Sequence, residues 1–228
     1  MDAVVMAAGE GRRLRPLTER WPKPVLPIDG RPVMGTLLRE LAAAAVSRVF
    51  VVTGHLAEQV ERLVGDGSAF GVRVQTVRQP GVLGSADAVR RALDAGAATP
   101  FLVSAADTVY RAGDVRRFAE VFAASGAAGA IAMRREPPPA PGRPGLQVEG
   151  GFVAAIGGTS EWSAAPLWAL DVAVVSRLCV DREPWELENS FRAALEDGAR
   201  IAAIEIGKTR DLTRPLDLVE ENFPYLSP

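Results

Sequence analysis

Ala3-Val4-Val5-Met6-Ala7-Ala8, followed by Gly9-Glu10-Gly11-Arg12-Arg13-Leu14, joins a strand-length apolar run to a glycine-rich turn. The residues beyond it repeat that rhythm. Met34–Val46 carries apolar positions at helical spacing, and Arg48–Thr53 is again strand-like. Ala57–Val64 reads as helix, Val72–Val77 as strand, Ser85–Ala95 as helix and Phe101–Ala105 as strand. Asp114–Ala124 and Ala128–Met133 add one more helix and strand. Strands alternating with helices imply right-handed βαβ crossovers and an α/β fold built on a mostly parallel sheet flanked by helices. In open sheets of this kind ligands lie beyond the C-terminal strand ends. The loops after the strands are therefore where chemistry is expected.

The rhythm breaks at Pro137–Pro144, where five of eight residues are proline, a composition that excludes helix and central strand. Two short strands around Gly150-Gly151 read as a hairpin. Pro166–Leu170 reads as a strand, Glu188–Glu196 as a helix ended by Gly198, and Ile201–Ile206 as a strand. Pro215–Glu221 fits a helix with proline at its first position. The chain of 228 residues thus divides into a regular half, 1–135, and a smaller mixed half, 136–228, within one domain.

Charge and composition narrow the function. The single cysteine, Cys179, excludes a disulfide framework and a cysteine zinc site. Charged residues interrupt every apolar run before it could span a membrane, and no secretory leader pattern is present, so a cytoplasmic protein is expected. The net charge of -2 argues against nucleic acid as a partner. That average hides a basic loop. Residues 9–24 carry Arg12, Arg13, Arg15, Arg20 and Lys23 against Glu10 and Glu19, a net of +3. Of the 26 basic residues only Lys23 and Lys208 are lysine.

The turn Ala7-Ala8-Gly9-Glu10-Gly11 lets backbone N–H groups approach phosphate oxygens. It is not the dinucleotide fingerprint, because Leu14 stands where the third glycine belongs, and it lacks the Gly-Lys-Ser/Thr end of a P-loop. The following loop, with prolines at 16, 22, 24 and 27, is expected to be irregular and stiff. Arg13 offers a planar fork and Lys23 a compact charge, a pairing suited to a polyphosphate that must be held still. The one histidine, His55, falls between a strand and a helix and reads as an ordinary loop or helix-start residue.

Taken together, Gly9-x-Gly11-x-Arg13-Leu14-x-Pro16-x-Thr18 and Pro22-Lys23-Pro24 resemble the signature of sugar-1-phosphate nucleotidylyltransferases. The resemblance implies a Rossmann-like α/β sheet and the reaction of an NTP with a sugar 1-phosphate to give an NDP-sugar and pyrophosphate. It implies that Lys23 and Arg13 serve catalysis and that Ala7, Ala8, Gly9 and Gly11 bind the nucleotide. Gln79-Pro80-Gly81-Val82-Leu83-Gly84-Ser85-Ala86 is similar to the family's base-reading segment, which places Gln79, Gly84 and Ser85 at the nucleotide and favours UTP or dTTP. Asp107, ending an apolar strand, and Asp211, in Asp211-Leu212-Thr213-Arg214-Pro215-Leu216-Asp217-Leu218, match the two acidic residues that hold Mg²⁺ in the family.

The departures are specific. Ala106 replaces a glycine before Asp107, and Thr209-Arg210 stand where the family has a tryptophan before the second aspartate. The family's Glu-Lys-Pro at the sugar has no counterpart in Ile156-Gly157-Gly158-Thr159-Ser160-Glu161-Trp162. Gly145 and Glu161 are the nearest candidates for acceptor binding. The missing lysine keeps open a cytidylyltransferase acting on phosphocholine or another non-sugar phosphate. A catalytically silent nucleotide-sugar-binding subunit is a third reading. The chain is expected to be a short form without a C-terminal β-helix, and a homo-oligomer is compatible with it.

Overall fold

The computed structural model describes residues 1–135, 144–178 and 185–223. Cys179 and the proline stretch up to residue 143 lie outside them. Strand β1 (Asp2–Ala7) leads into three single 3-10 turns, Arg12–Leu14, Leu17–Glu19 and Lys23–Val25, and then a small ladder of β2 (Pro27–Ile28) and β3 (Arg31–Pro32). The proline-rich basic loop is therefore more regular than expected. Short 3-10 turns tolerate proline because the missing N–H falls at a position without an internal partner.

The next elements are α1 (Val33–Ala43), β4 (Arg48–Thr53), α2 (Ala57–Val64), β5 (Arg73–Arg78), α3 (Ser85–Asp94) and β6 (Phe101–Ala105). Then come β7 (Thr108–Val109), α4 (Asp114–Ser125) and β8 (Gly129–Arg135). The remainder comprises β9 (Leu146–Glu149), β10 (Phe152–Ile156), β11 (Trp162–Leu170), α5 (Val172–Val175), α6 (Leu187–Glu196), β12 (Ile201–Glu205), β13 (Arg210–Asp211) and α7 (Pro215–Asn222). Among the described residues no helix is long and apolar enough to cross a membrane.

Nine strands form one sheet in the order β5-β4-β1-β6-β11-β8-β12-β10-β9. The expected parallel pairing holds for β5-β4-β1-β6 and for β8-β12. Strand β11 runs antiparallel between β6 and β8, so the sheet is mixed. Because β11 is reversed, β8 and β12 point the same way as β6. The loops after β1, β6 and β12 consequently open on one rim. Leu167 pairs with Ser104, so Ala164–Pro166 of β11 reach past the end of β6 at that same rim.

Helices cover both faces. Along β1, Ala3, Val5 and Ala7 pack on one side and Val4 on the other, the period of two that strands impose. The first side meets α1 through Met34, Leu37, Leu38 and Leu41, at helical spacing, together with α2 and α4. The second meets Ala88, Val89 and Ala92 of α3 and Leu187, Phe191 and Ala194 of α6. Hydrophobic burial on both faces leaves the rim as the exposed, polar part of the sheet.

Candidate active site

Gly11 has φ +63°, and a Cβ there would stand 2.8 Å from Thr18 Cγ2 and 3.0 Å from Lys23 Cγ. Only glycine lets the turn close this tightly over the lysine stem. The Thr18 hydroxyl donates to the Gly11 carbonyl at 2.9 Å. Helix α2 and the turn before it grip the loop from outside. His55 Nε2 donates to the Thr18 carbonyl at 2.6 Å and Gln59 Nε2 to the Arg20 carbonyl at 2.7 Å. His55 is thus a loop anchor, as its position in the sequence suggests. Arg12 and Arg15 are both engaged by Glu10. Arg13 has no ion pair among the described residues and faces the cavity below.

Inside that cavity, of about 150 Å³, Lys23 Nζ donates to Asp107 Oδ2 at 2.9 Å. Lys23 is 14 % exposed and Asp107 30 %, so the pair is shielded yet open to a ligand. Asp211 lines the same cavity. It arrives there through the β13–β7 ladder, in which it pairs with Thr108, the chain neighbour of Asp107. The Thr108 hydroxyl donates to Asp211 Oδ1 at 2.8 Å. The Thr209 hydroxyl donates to Oδ2 at 3.3 Å and itself accepts from the buried Arg134 guanidinium. Arg210 ties β13 to Asp29 and to Glu221 of α7. Thr209 thus holds Asp211 directly, and Arg210 fixes the short strand that carries it. Asp217 caps α7 by accepting from the Thr213 and Arg214 N–H groups.

Asp107 and Asp211 line one cavity with the cations Arg13 and Lys23, and no cluster of three or more His, Cys, Asp or Glu that could hold a metal is found among the described residues. An all-oxygen pair fits Mg²⁺, which binds through one or two carboxylates and fills its shell with water and substrate phosphate.

At the other end of the rim, Gln79 is buried and its amide nitrogen donates to the Gly84 carbonyl at 3.2 Å and to Asp87 Oδ2 at 2.7 Å. Both partners are acceptors, which fixes the amide orientation and uses both of its protons. Gly84 has φ +93°, and a Cβ there would lie 2.4 Å from the Trp185 carbonyl. The Ser85 hydroxyl donates to Glu186 at 2.5 Å and accepts from the Leu187 N–H at 2.7 Å. The start of α3 is therefore closed by the segment leading into α6, and the hydroxyl of Ser85 is committed to Glu186.

The acceptor candidates fare differently. Gly145 packs so closely on the Gly158 carbonyl that a Cβ would lie 2.5 Å away, and it follows Pro144, which lines the cavity. Glu161 does not line it. Its carboxylate is 65 % exposed and sits 3.7 Å from Arg135, apart from the residues that line the cavity. The glutamate that reaches the cavity is Glu188, in the first turn of α6. Burial pushes its carboxyl up, and nearby Glu186 adds to this, while its own backbone N–H and Arg192 oppose it. In the sequence Glu188 is indistinguishable from a helix-start residue. Trp168 of β11 lines the cavity as well. Tyr110 holds that part of β11 by donating to the Pro166 carbonyl at 2.7 Å. Lys208 borders an adjoining depression with Glu220 and Glu221 that shares Asp211 and Thr213 with the Lys23 cavity, and it does not itself line that cavity.

Similarity to known proteins bears on the family and the fold. An N-acetylmuramate alpha-1-phosphate uridylyltransferase of Neisseria meningitidis is 38 % identical over 110 residues, 48 % of this chain and 48 % of that protein. A low-salt glycan biosynthesis nucleotidyltransferase of Haloferax volcanii is 26 % identical over 97 % of this chain and 65 % of its own length. The chain thus spans about half to two thirds of these relatives. Among solved structures, a UDP-glucose pyrophosphorylase from Acinetobacter baumanii superimposes with TM-score 0.80 at 20 % identity, covering 98 % of this chain and 92 % of the other. The inositol-1-phosphate CTP transferase of T. maritima gives 0.79 at 19 %, over 95 % and 90 %. Residues 2–143 match the nucleotidyl transferase family, from the phosphate turn through Gln79 to Asp107, and the chain belongs to that family.

Proposed function

We propose that this protein transfers a nucleotidyl group from an NTP to a sugar 1-phosphate, releasing pyrophosphate. The observation that carries the reading is the Lys23–Asp107 pair in one cavity with Asp211 and Arg13. A phosphate oxygen of the acceptor forms a bond to the α-phosphorus of the NTP. The bond from that phosphorus to the bridging oxygen breaks on the opposite side, and its electron pair leaves with pyrophosphate. The nucleophile is already anionic at neutral pH, so no general base is required, and His55 remains an anchor. Positioning and charge neutralisation lower the barrier.

Each residue then has a task. The N–H groups from Ala7 to Gly11 and the free fork of Arg13 hold the triphosphate. Lys23 leaves Asp107 to neutralise charge between the α-phosphate and the acceptor phosphate. Asp107 and Asp211 would hold Mg²⁺, which supplies charge neutralisation at the reacting phosphates. Residues 1–135 form the nucleotide half and 136–228 the acceptor half. With both amide protons of Gln79 spent within the protein, its carbonyl oxygen is the group left for the base. That oxygen would accept from the N3–H of uracil or thymine, whereas cytosine has no N3–H and would have to bring its N4 amino group to the same oxygen. UTP or dTTP is therefore favoured over CTP.

The test is a pyrophosphate-release screen of the purified chain over all NTPs against sugar 1-phosphates and phosphocholine, with product mass identified. UTP or dTTP with a sugar 1-phosphate is the expected pair. Absence of pyrophosphate with every pair would refute the enzymatic reading and leave a binding subunit.

A further inference from the structure

Strand β11 leaves both of its ladders where it lines the cavity. On β8 the register passes from Ala164, opposite Met133, to Trp168, opposite Ile131, so Ala165, Pro166 and Leu167 stand against Ala132 alone. On β6 the pairing begins only at Leu167. Among the described residues Ala165 and Pro166 are thus paired in neither ladder, a bulge that re-aims this part of the strand. Proline brings no N–H to repair the gap, and a buried carbonyl without a donor is costly. Tyr110, 4 % exposed, supplies the donor, with its hydroxyl 2.7 Å from the Pro166 carbonyl. A carbonyl can only accept, so the phenol proton goes to Pro166, and the buried Ser104 hydroxyl lies 2.8 Å away on the accepting side of the phenol oxygen. Burial pushes the phenol well above its ordinary value, and the carboxylates of Asp211 and Asp107 add to this, so Tyr110 stays a donor.

Asp107 and Tyr110 belong to one short segment, joined by the two residues of β7. Its first residue enters the cavity and its last grips β11. Ala164, Ala165 and Pro166 line the cavity, whereas Tyr110 does not. Resting on the proposed nucleotidyl transfer, we infer that Tyr110 is a positioning residue for the acceptor: its hydroxyl fixes how far the Ala164–Pro166 wall stands from Asp107 and Lys23, and so sets acceptor affinity without touching either substrate. Two ladders hold an ordinary strand, but this wall has neither, and the phenol takes their place. A bound reactant misplaced by about 1 Å can lose about 10²-fold in rate, so a wall held by one hydrogen bond is a sensitive point. The glycine turn after β1 and Gln79 after β5 are held by other contacts, which confines the effect to the acceptor side.

The test uses the full chain and its Tyr110→Phe, Ser104→Ala and Ser104→Val variants in pyrophosphate release, with the best NTP and acceptor of the screen. Tyr110→Phe should raise the acceptor KM at least about fivefold and leave the NTP KM within about twofold. Ser104→Ala keeps the bond from the phenol to Pro166 and should leave both KM values within about twofold. Ser104→Val sets a methyl group against the phenol oxygen, displaces it from Pro166 and should raise the acceptor KM as Tyr110→Phe does. It carries the test if Tyr110→Phe does not fold. Hydrogen exchange of the peptide spanning residues 162–170 should quicken in Tyr110→Phe relative to residues 48–53, and not in Ser104→Ala. A tyrosine that only stabilised the core would lower Tm and the active fraction but leave the acceptor KM unchanged, because KM reports the folded molecules alone. An acceptor KM within about twofold of wild type in Tyr110→Phe, or in Ser104→Val where that is the folded variant, would overturn the inference while nucleotidyl transfer stands. An equal rise in the NTP KM, or an equal effect of Ser104→Ala, would do the same. No pyrophosphate from the wild type with any pair would overturn the proposed transfer and this inference with it.

Discussion

Replacing Lys23 with alanine removes the cation that stands 2.9 Å from Asp107 in a cavity largely shielded from water. Charge placed ahead of the reaction in such a site acts on the transition state more strongly than in solution, and losing one such contact costs on the order of 10²-fold or more in rate. That corresponds to about 2.7 kcal/mol at 25 °C. The same substitution should cost little in stability, since Asp107 is 30 % exposed and is solvated once its partner leaves. A partly exposed pair of this kind is worth below about 1 kcal/mol, or roughly 2–4 °C in Tm for a chain of this size. Lys23→Arg should recover no more than about tenfold of the loss. The lysine stem runs tightly beneath Gly11, and a planar guanidinium is not a substitute for a compact charge. Steady-state pyrophosphate release, read beside thermal melting, separates the two effects. A Lys23→Ala enzyme with kcat/KM within about threefold of wild type would refute the role given to this residue. A loss of activity that tracks unfolding would do the same.

Three further outcomes follow from the geometry. Gly11→Ala forces an L residue into left-handed backbone and a Cβ to 2.8 Å from Thr18. It should lower stability by about 1–2 kcal/mol in urea unfolding and reduce kcat/KM more than tenfold by displacing Lys23. Burial alone would raise the Asp2 carboxyl, but hydrogen bonds from Arg48 and the Ala98 N–H outweigh it and hold it below the usual carboxylate range. Its stabilisation is therefore complete above the unfolded value near 4 and lost as pH falls through the lower folded value. Asp2→Asn should shrink the difference between the Tm at about pH 6 and at about pH 3, and an unchanged difference would count against this. Glu161→Ala should leave the acceptor KM within about twofold, because its exposed pair with Arg135 stands apart from the cavity. A larger rise would restore Glu161 to the acceptor site.

Much of the chain is written locally. Arg48–Thr53, Ala57–Val64 and Phe101–Ala105 carry their boundaries in the pattern of apolar and polar residues, and the structure has the same limits. Side-chain periodicity selects strand or helix within a few residues, so such elements need no distant partner to be recognised. The glycine turn after β1 is equally local in its signal, since a glycine at position 11 permits the positive φ found there. Strand β11 was legible only over Pro166–Leu170. Its first residues pair with β8, and β6 on its other side lies far from it in sequence, leaving no local signal for where it starts.

The sequence by itself determined the α/β rhythm, the basic loop and the residue types at Lys23, Gln79, Asp107 and Asp211. Tertiary structure alone decided which of them meet. Asp211 lies 104 positions from Asp107 and reaches its cavity because β11 is reversed between β6 and β8, which turns β12 toward the same rim. It likewise decided that Glu186 closes the Ser85 helix start and that Glu188, rather than Glu161, lines the Lys23 cavity. These facts depend on strand direction and on the packing of α6 against the sheet. Both are global outcomes of burying two apolar faces at once, and no short stretch of sequence contains them.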